Sequence, residues 1–208
     1  MAFHKKTIRD VPVDNLTVLV RVDFDVPINE KGEVSDDLWI KSSLPTIEYL
    51  LNHDCKVIIA SHYGRPGGHD SKYSLEPAAA KLAQLLKKDI RFVNEVIGEK
   101  VLQAIKRAPN KSVVVLENLR FHPGEESNDY DFARSLVAST GARYFIQDGF
   151  NNAHNRHAST SAITAFVPSV AWLSLENDYL TILRVIDITR AKNRINLPGV
   201  EVLLDAGR

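Results

Sequence analysis

Four short apolar runs, rich in β-branched residues, constrain this sequence more than any other feature. They are TVLVRV (17–22), KVIIA (56–60), SVVVLE (112–117) and RYFIQD (143–148). Because apolar residues follow one another instead of alternating with polar ones, each run is typical of a strand covered on both faces. Such strands occur in parallel sheets that carry helices on both sides.

Helical patterns separate these runs. They are SSLPTIEYLLNH (42–53), SLEPAAAKLAQLLKK (74–88), IGEKVLQAIKRA (97–108) and NDYDFARSLVAS (128–139). The first carries Pro45 in its predicted first turn, and the second offers Ser74 as an N-cap. Strand and helix therefore alternate along the chain, which predicts an α/β fold with a mostly parallel sheet.

Composition narrows the function classes. The 208 residues include 26 basic and 26 acidic side chains, so no global charge favours nucleic acid or a membrane surface as a partner. The single cysteine, Cys55, excludes an internal disulfide and is typical of a reducing compartment. The start, MAFHKKTIRD, lacks the apolar run of a signal peptide, and no segment is apolar enough to span a bilayer. We therefore expect a cytoplasmic domain.

Polar and basic residues follow each predicted strand. They are Arg21, Asp23 and Asp25 after the first strand, His62 and Arg65 after the second, Arg120 and His122 after the third, and His154, Arg156 and His157 after the fourth. The carboxyl ends of parallel strands share one edge of the sheet, where ligands bind in open α/β folds. Arginine binds phosphate and carboxylate groups in a bidentate manner, and the glycines of SHYGRPGG allow close backbone approach. This pattern predicts a site for a small phosphorylated or carboxylated molecule.

An alternative is that these arginines are loop residues paired with neighbouring acids. The candidate partners are Asp23, Asp25, Glu117 and Asp148. The sequence contains neither of the glycine-rich phosphate-binding motifs GxxxxGK[ST] and GxGxxG, and no Cys/His spacing typical of zinc. We therefore expect no cofactor and no metal on this chain.

Several motifs together resemble the N-terminal half of phosphoglycerate kinases, in that family's order and spacing, from about Lys6 to Ala171. They are VLVRVDFDVP, LPTIEYLL, VIIASHYGRPGG, KYSLEPAAAKLAQLL, LENLRFHPGEESND and AHNRHAST. The resemblance implies a Rossmann-like three-layer domain with a central parallel sheet of about six strands. Family members transfer a phosphoryl group between 1,3-bisphosphoglycerate and ADP. Their N-terminal half holds the phosphoglycerate, and their C-terminal half holds Mg-nucleotide.

The resemblance also implies a set of substrate-binding positions. They are Arg21, Asp23, Asp25, His62, Arg65, Arg120 and His154. By this resemblance Arg65 and Arg120 hold the ligand phosphate, and His62 and His154 flank it. Asp23 contacts the glycerate hydroxyl.

Three departures from the family pattern fall within this predicted site. Asp25 stands where an asparagine is usual, and Asn155 stands where the family has an arginine that Arg156 replaces only if the loop shifts register. Trp39 stands where the family has the arginine that holds the substrate carboxylate and stabilises the transferring phosphoryl group, so the catalytic residue is unknown. A hydrogen bond to a charged group contributes about 1.5–3 kcal/mol, so the loss of two arginines costs roughly 3–6 kcal/mol of binding.

The sequence predicts three segments. Residues 1–171 form the kinase-like domain, residues 172–193 a helical connector, and residues 194–208 a tail that packs back on the domain. The tail prediction rests on LPGV (197–200), which resembles the segment that closes the family's polypeptide. The family pattern requires about 400 residues, so we expect these 208 residues to lack the nucleotide half.

Three functional hypotheses remain open. The chain is a 3-phosphoglycerate-binding half that cannot transfer phosphate alone, or it is the substrate half of a split kinase whose nucleotide half is a separate chain. The third hypothesis is a non-enzymatic interaction domain that uses an apolar face of the connector, including Leu175, Tyr179 and Ile182. A homo-oligomer or a partner chain is compatible with each hypothesis.

Overall fold

Six parallel strands form the centre of the molecule in a computed structural model, which describes residues 6–172 together with Thr181, Arg184 and Val185. The strands are β1 (Thr17–Arg21), β2 (Lys56–Ala60), β3 (Ile90–Val93), β4 (Ser112–Leu116), β5 (Tyr144–Gln147) and β6 (Ser169–Ala171). Their order across the sheet is β3-β4-β2-β1-β5-β6, and every neighbouring pair is parallel. The predicted α/β class and parallel sheet of six strands are confirmed.

Helices connect the strands. They are α1 (Leu38–Ser42), α2 (Leu44–Asn52), α3 (Glu76–Leu86), α4 (Glu99–Arg107), α5 (Tyr130–Thr140) and α6 (Phe150–Ala153). Each of the four predicted helices forms, and Pro45 lies in the first turn of α2 as expected. Short 3-10 turns add Ile8–Asp10, Ser71–Tyr73, Leu119–Phe121 and Ala162–Ala165.

The prediction that Ser74 caps α3 is wrong by one residue. The helix begins at Glu76, and Leu75 occupies the N-cap position. The carboxylate of Glu117, which directly follows β4, accepts hydrogen bonds from the Leu75 backbone N–H and the Ser74 hydroxyl, both at 2.9 Å. The Ser74 hydroxyl still accepts from the Glu76 N–H at 3.2 Å, so the start of α3 is held both by Ser74 and by a carboxylate from a neighbouring strand, which sequence spacing does not reveal.

Successive strand residues point to opposite sides of the sheet, so both faces carry apolar side chains. Helices cover both faces. In β1, Val18 and Val20 pack with α1, α2 and α3 in one core cluster, whereas Leu19 packs with α4 and α5 in a second cluster. The four predicted strands, β1, β2, β4 and β5, are covered from both sides, as their unbroken apolar runs predicted. Cys55 belongs to the first cluster and is fully buried, as expected, and burial raises the pKa of its thiol to about 11.

The path of the chain opens a crevice at one edge of the sheet. The segments after β1 and β2 cross the first face, and those after β3 and β4 cross the second face. β2 and β4 are neighbours in the sheet, and the chain leaves their carboxyl ends toward opposite faces. Ligands of open α/β sheets bind at such divergence points.

The predicted helical connector and tail lie outside the described residues, apart from Trp172, Thr181, Arg184 and Val185. Trp172 is buried in the first core cluster, where its ring lies 5.4 Å from that of Tyr49. The apolar face proposed for the connector also falls outside the described residues. None of the helices that the structure describes has the length and apolar content required to cross a membrane.

Candidate ligand-binding site at the carboxyl edge

Arg21, the last residue of β1, lies beneath the crevice. Arg21 is only 1% exposed, and all three of its guanidinium nitrogens donate hydrogen bonds to protein atoms. Nε donates to the Ser159 hydroxyl at 2.9 Å, Nη1 to the Val22 carbonyl at 2.5 Å and Nη2 to His62 Nδ1 at 3.0 Å. Burial lowers the pKa of Arg21, while the charges of Glu125 and Asp23 raise it. In this conformation Arg21 stabilises the residues around the crevice through these three hydrogen bonds.

His62 follows β2 and is nearly buried against Arg21. A guanidinium only donates hydrogen bonds, so His62 Nδ1 is the acceptor and Nε2 carries the ring hydrogen. Nε2 lies 3.8 Å from Asp25 Oδ2. Burial, followed by the charges of Arg21, Arg120 and His157, lowers the pKa of His62 to about 2. His62 is therefore a neutral hydrogen-bonding group at physiological pH.

Gly64 joins the loops that follow β1, β2 and β4. Its N–H donates to Asp25 Oδ1 at 2.9 Å, and its carbonyl accepts from Arg120 Nη1 at 2.7 Å. Its φ is +59°, and a Cβ at this position would lie 2.5 Å from the ring of Tyr73. Only glycine satisfies both conditions, so the SHYGRPGG motif fixes the position of this loop.

Arg65, Asp23 and His154 lie at the same edge with fewer contacts. Arg65 is exposed and makes no hydrogen bond or ion pair with the other residues that the structure describes. Asp23 accepts from the Asp25 N–H at 3.3 Å and from Asn151 Nδ2 at 3.1 Å. His154 is exposed directly after α6, the helix that carries Asn151. Arg65 thus contributes a guanidinium that has no partner among the described residues.

Arg120 has acidic and backbone partners. Its Nε lies 2.9 Å from Glu126 Oε1, and its Nη1 contacts Gly64 as described above. Of the acids proposed as partners in the alternative prediction, Glu117 contacts Ser74 and Leu75 instead. The acid that pairs with Arg120 comes from the loop that follows it.

Sequence reasoning missed Glu125 and Ser159 as residues of this site. The fully buried carboxylate of Glu125 accepts from the Ser159 hydroxyl at 2.5 Å and from its backbone N–H at 3.1 Å. Ser159 in turn accepts from Arg21 Nε. Both residues were present in the quoted motifs HPGEES and HAST, but their pairing depends on a contact between distant loops. The only sequence signal for this pair was that two glutamates, Glu125 and Glu126, stand side by side in the loop after Arg120.

The departures from the family pattern have definite positions. Trp39 lies in α1 and is 42% exposed, with its carbonyl accepting from the Ser42 hydroxyl. Two hydrogen bonds hold the loop of Asn155. The Asn155 N–H donates to the Asn152 carbonyl, and the Asn155 carbonyl accepts from the Thr160 hydroxyl. Arg156 is exposed. Within residues 6–172, no group of three or more His, Cys, Asp or Glu side chains has metal-binding geometry.

These features define a class, namely a parallel α/β domain whose basic and polar loops gather at the carboxyl ends of β1, β2, β4 and β5. The family model described as phosphoglycerate kinase matches residues 8–197. The chain belongs to the phosphoglycerate kinase family.

Individual relatives agree with this assignment. A phosphoglycerate kinase of Desulforudis audaxviator is 45% identical over 185 residues, covering 88% of this chain and 47% of the relative. One of Aquifex aeolicus is 45% identical over 175 residues, covering 84% of this chain and 44% of the relative. The crystal structure of phosphoglycerate kinase from Pyrococcus horikoshii has a TM-score of 0.77 at 26% identity, covering 93% of this chain and 47% of that one. The chain thus spans about half the length of these relatives, and the resemblance to a kinase N-terminal half is confirmed.

Proposed function

We propose that the carboxyl-edge crevice is a 3-phosphoglycerate site with reduced positive charge, and that the described domain does not transfer a phosphoryl group by itself. The observation that carries this proposal is the pairing of Arg21 with His62 and of Arg120 with Gly64. These two contacts bring the loops of β1, β2 and β4 to one crevice and leave Arg65 free beside it.

The charges of the crevice favour an anion, but weakly. Arg120 is shared with Glu126 and Arg21 is buried near Glu125, whereas the exposed guanidinium groups of Arg65 and Arg156 have no partner among the described residues. The exposed carboxylate of Asp25 adds negative charge beside Gly64 and His62. Two positions that carry arginine in the family pattern hold Trp39 and Asn155. Binding about 10²–10⁴-fold weaker than in a site with both arginines follows from the lost contacts.

Isothermal titration with 3-phosphoglycerate, with sulfate as the reference anion, tests the binding. We expect 3-phosphoglycerate to bind more tightly than sulfate, and Arg65→Gln to weaken it at least fivefold. Arg143→Gln is the matched control, because Arg143 is exposed at the opposite edge of the sheet, where its N–H donates to the Thr17 carbonyl. Equal affinity for the two anions, or no effect of Arg65→Gln, contradicts the proposal. A micromolar dissociation constant for 3-phosphoglycerate contradicts the proposal that the site has reduced positive charge.

Restoring the family's residues tests the cause of the weak binding. The double variant Trp39→Arg, Asn155→Arg is expected to raise affinity for 3-phosphoglycerate about 10²–10⁴-fold, because each guanidinium adds hydrogen bonds to a charged group. If the affinity stays the same while the fold is retained, these two positions do not face the ligand.

A split kinase is the second candidate. The assembled Arg21, His62 and Arg120, which lie where the family pattern places its phosphoglycerate-site residues, favour it. A coupled assay for phosphoryl transfer is run on the chain alone and with separately produced nucleotide-binding halves of family members. Turnover only in the mixture supports the split kinase. Turnover of the chain alone contradicts the first proposal, and no turnover in any combination contradicts the second.

A further inference from the structure

A second concave surface lies along the opposite part of the sheet, between the edge strand β3 and helix α4. Its volume is about 380 Å³, and the residues that line it include Arg91, Phe92, Asn94, Lys100, Gln103 and Arg107. Strands β4 and β2 separate β3 from β1, so the two strands lie about 14 Å apart at the usual spacing of neighbouring strands. We call this surface the β3–α4 groove. It is separate from the carboxyl-edge crevice, since none of the crevice residues lines it.

Helix α4 forms one wall of the groove. In EKVLQAIKR, the residues Lys100, Gln103, Ala104 and Arg107 recur at helical spacing and share one face. Val101 and Ile105 occupy the buried face. Ala104 is the smallest side chain on the polar face, so it leaves room between the longer polar side chains around it. The helix is thus anchored by its apolar face and presents donors to the groove.

Strand β3 builds the other wall. It is one of the two edge strands of the described sheet and pairs with β4 alone. Arg91 is exposed, whereas Val93, two residues further on, is buried in the second core cluster. Side chains at the edge of the sheet therefore complete a groove whose two walls are held by the core.

The charge of the groove is positive. Three cationic side chains and no acidic side chain line it. The side chains of Arg91 and Arg107 form no hydrogen bond or ion pair with any other residue in the described part of the chain. Lys100 contacts Asn94 and lies 3.9 Å from Glu95 at the rim, where both side chains are more than half exposed. Two guanidinium groups are therefore free to bind an anion.

We infer that the β3–α4 groove binds a small molecule that carries two phosphate groups. Guanidinium groups bind phosphate in a bidentate manner, and two free ones line the same cavity. Lys100 and Arg107 are seven residues apart, which places their Cα atoms about 10 Å apart along the helix, a span that suits two separated phosphates better than one. The volume is within the usual range of small-molecule sites.

Nuclear magnetic resonance on the full chain tests this inference with hexane-1,6-diol bisphosphate as the probe and inorganic phosphate as the reference. We expect the backbone amides of residues 91–94 and 100–107 to shift, with the bisphosphate at least tenfold tighter than phosphate. Arg91→Gln and Arg107→Gln are each expected to weaken bisphosphate binding at least fivefold. The matched control is Lys106→Gln, which removes the same charge from an exposed position of α4 outside the groove.

The result also separates this inference from the proposed function. Arg65→Gln alters only the crevice, so it is expected to leave the groove shifts unchanged while weakening 3-phosphoglycerate binding. Shifts confined to residues 62–65 and 119–126 contradict the groove site. The inference also fails if Lys106→Gln weakens binding as much as Arg107→Gln, because diffuse attraction to a basic surface then explains the data. Equal affinity for phosphate and bisphosphate overturns the two-phosphate assignment.

Discussion

Asp25 illustrates how one atom's difference changes a residue's role. Its carboxylate accepts the Gly64 N–H through Oδ1, a contact that an asparagine oxygen also makes. Oδ2 faces His62 Nε2 at 3.8 Å, and an asparagine places an uncharged amide there instead. The loop geometry therefore tolerates either residue. The difference between them is a negative charge at the rim of a crevice proposed to bind an anion.

Asp25→Asn is expected to tighten 3-phosphoglycerate binding about fivefold. Two like charges about 6 Å apart repel by roughly 3 kcal/mol at an effective dielectric of 20, and the partial exposure of Asp25 reduces this to about 1 kcal/mol. Isothermal titration at low salt measures the change. Asp54→Asn, an exposed carboxylate beside Lys111, serves as the control for net charge. Weaker binding in Asp25→Asn would show that the carboxylate itself contacts the ligand.

Gly64 is constrained by conformation and by space. Alanine at this position places a Cβ 2.5 Å from the Tyr73 ring and in the left-handed region of φ. We expect Gly64→Ala to lower the free energy of unfolding by about 1–3 kcal/mol and to displace the loop that carries Arg65. Urea denaturation measures the first effect. Gly67→Ala is the control, since its Cβ would meet no atom within 4 Å, and an equal loss in both variants would contradict the argument.

At the scale of elements, the site is held by contacts between loops. Glu125 follows β4, and Ser159 follows α6, yet their hydrogen bonds tie the two loops together above Arg21. The carbonyl of Glu125 also accepts from the Ala158 N–H at 2.9 Å. This contact sets the distance between the loop of Arg120 and the loop of His154. It also places a negative charge near the buried guanidinium of Arg21.

Glu125→Gln is expected to lower the free energy of unfolding by about 2–4 kcal/mol. Glutamine has a single acceptor oxygen, so it keeps only one of the two hydrogen bonds that Ser159 donates to the carboxylate. The buried guanidinium of Arg21 also keeps its charge without the compensating carboxylate. Chemical denaturation of both variants measures this loss against that of Glu126→Gln. Glu126 is exposed and forms an ion pair with Arg120, so its replacement is expected to cost at most about 1 kcal/mol. Similar losses for both variants would contradict the role of burial.

The sequence predicted the central elements well because their signals are local. β1, β2, β4 and β5 are covered on both faces, so each is an unbroken apolar run. β3 went unnamed because it is a four-residue edge strand that begins IR, with Arg91 exposed. The three-residue β6 and four-residue α6 are too short to show a period. The site followed the same rule, since residues at strand ends were predictable from topology, whereas Glu125 and Ser159 meet only in the folded chain.

At the scale of the whole molecule, three histidines lie around one edge of the sheet, with His62 buried and His122 and His157 half-buried. Burial, followed by nearby cations, lowers the pKa of His62 to about 2, and burial lowers the pKa of His122 and of His157. Charged and titratable groups on three loops face His62, namely Arg21, Arg120, Asp25 and His157. The fold therefore resists protonation at this edge.

The stability of the fold is expected to decrease as pH falls from about 6.5 toward 4. In the unfolded chain a histidine binds a proton near pH 6.5, whereas folded His62 does so only near its lowered pKa of about 2. Between these values the unfolded state binds the extra proton, so acid favours unfolding by up to about 1.4 kcal/mol per pH unit for this residue. Urea denaturation at several pH values measures the slope. His62→Gln retains an acceptor for Arg21 and removes the titration, so its slope should be smaller by up to one proton, whereas His69→Gln, at an exposed position, should match the unmodified chain. A slope in His62→Gln equal to that of the unmodified chain would show that His62 takes up its proton without unfolding.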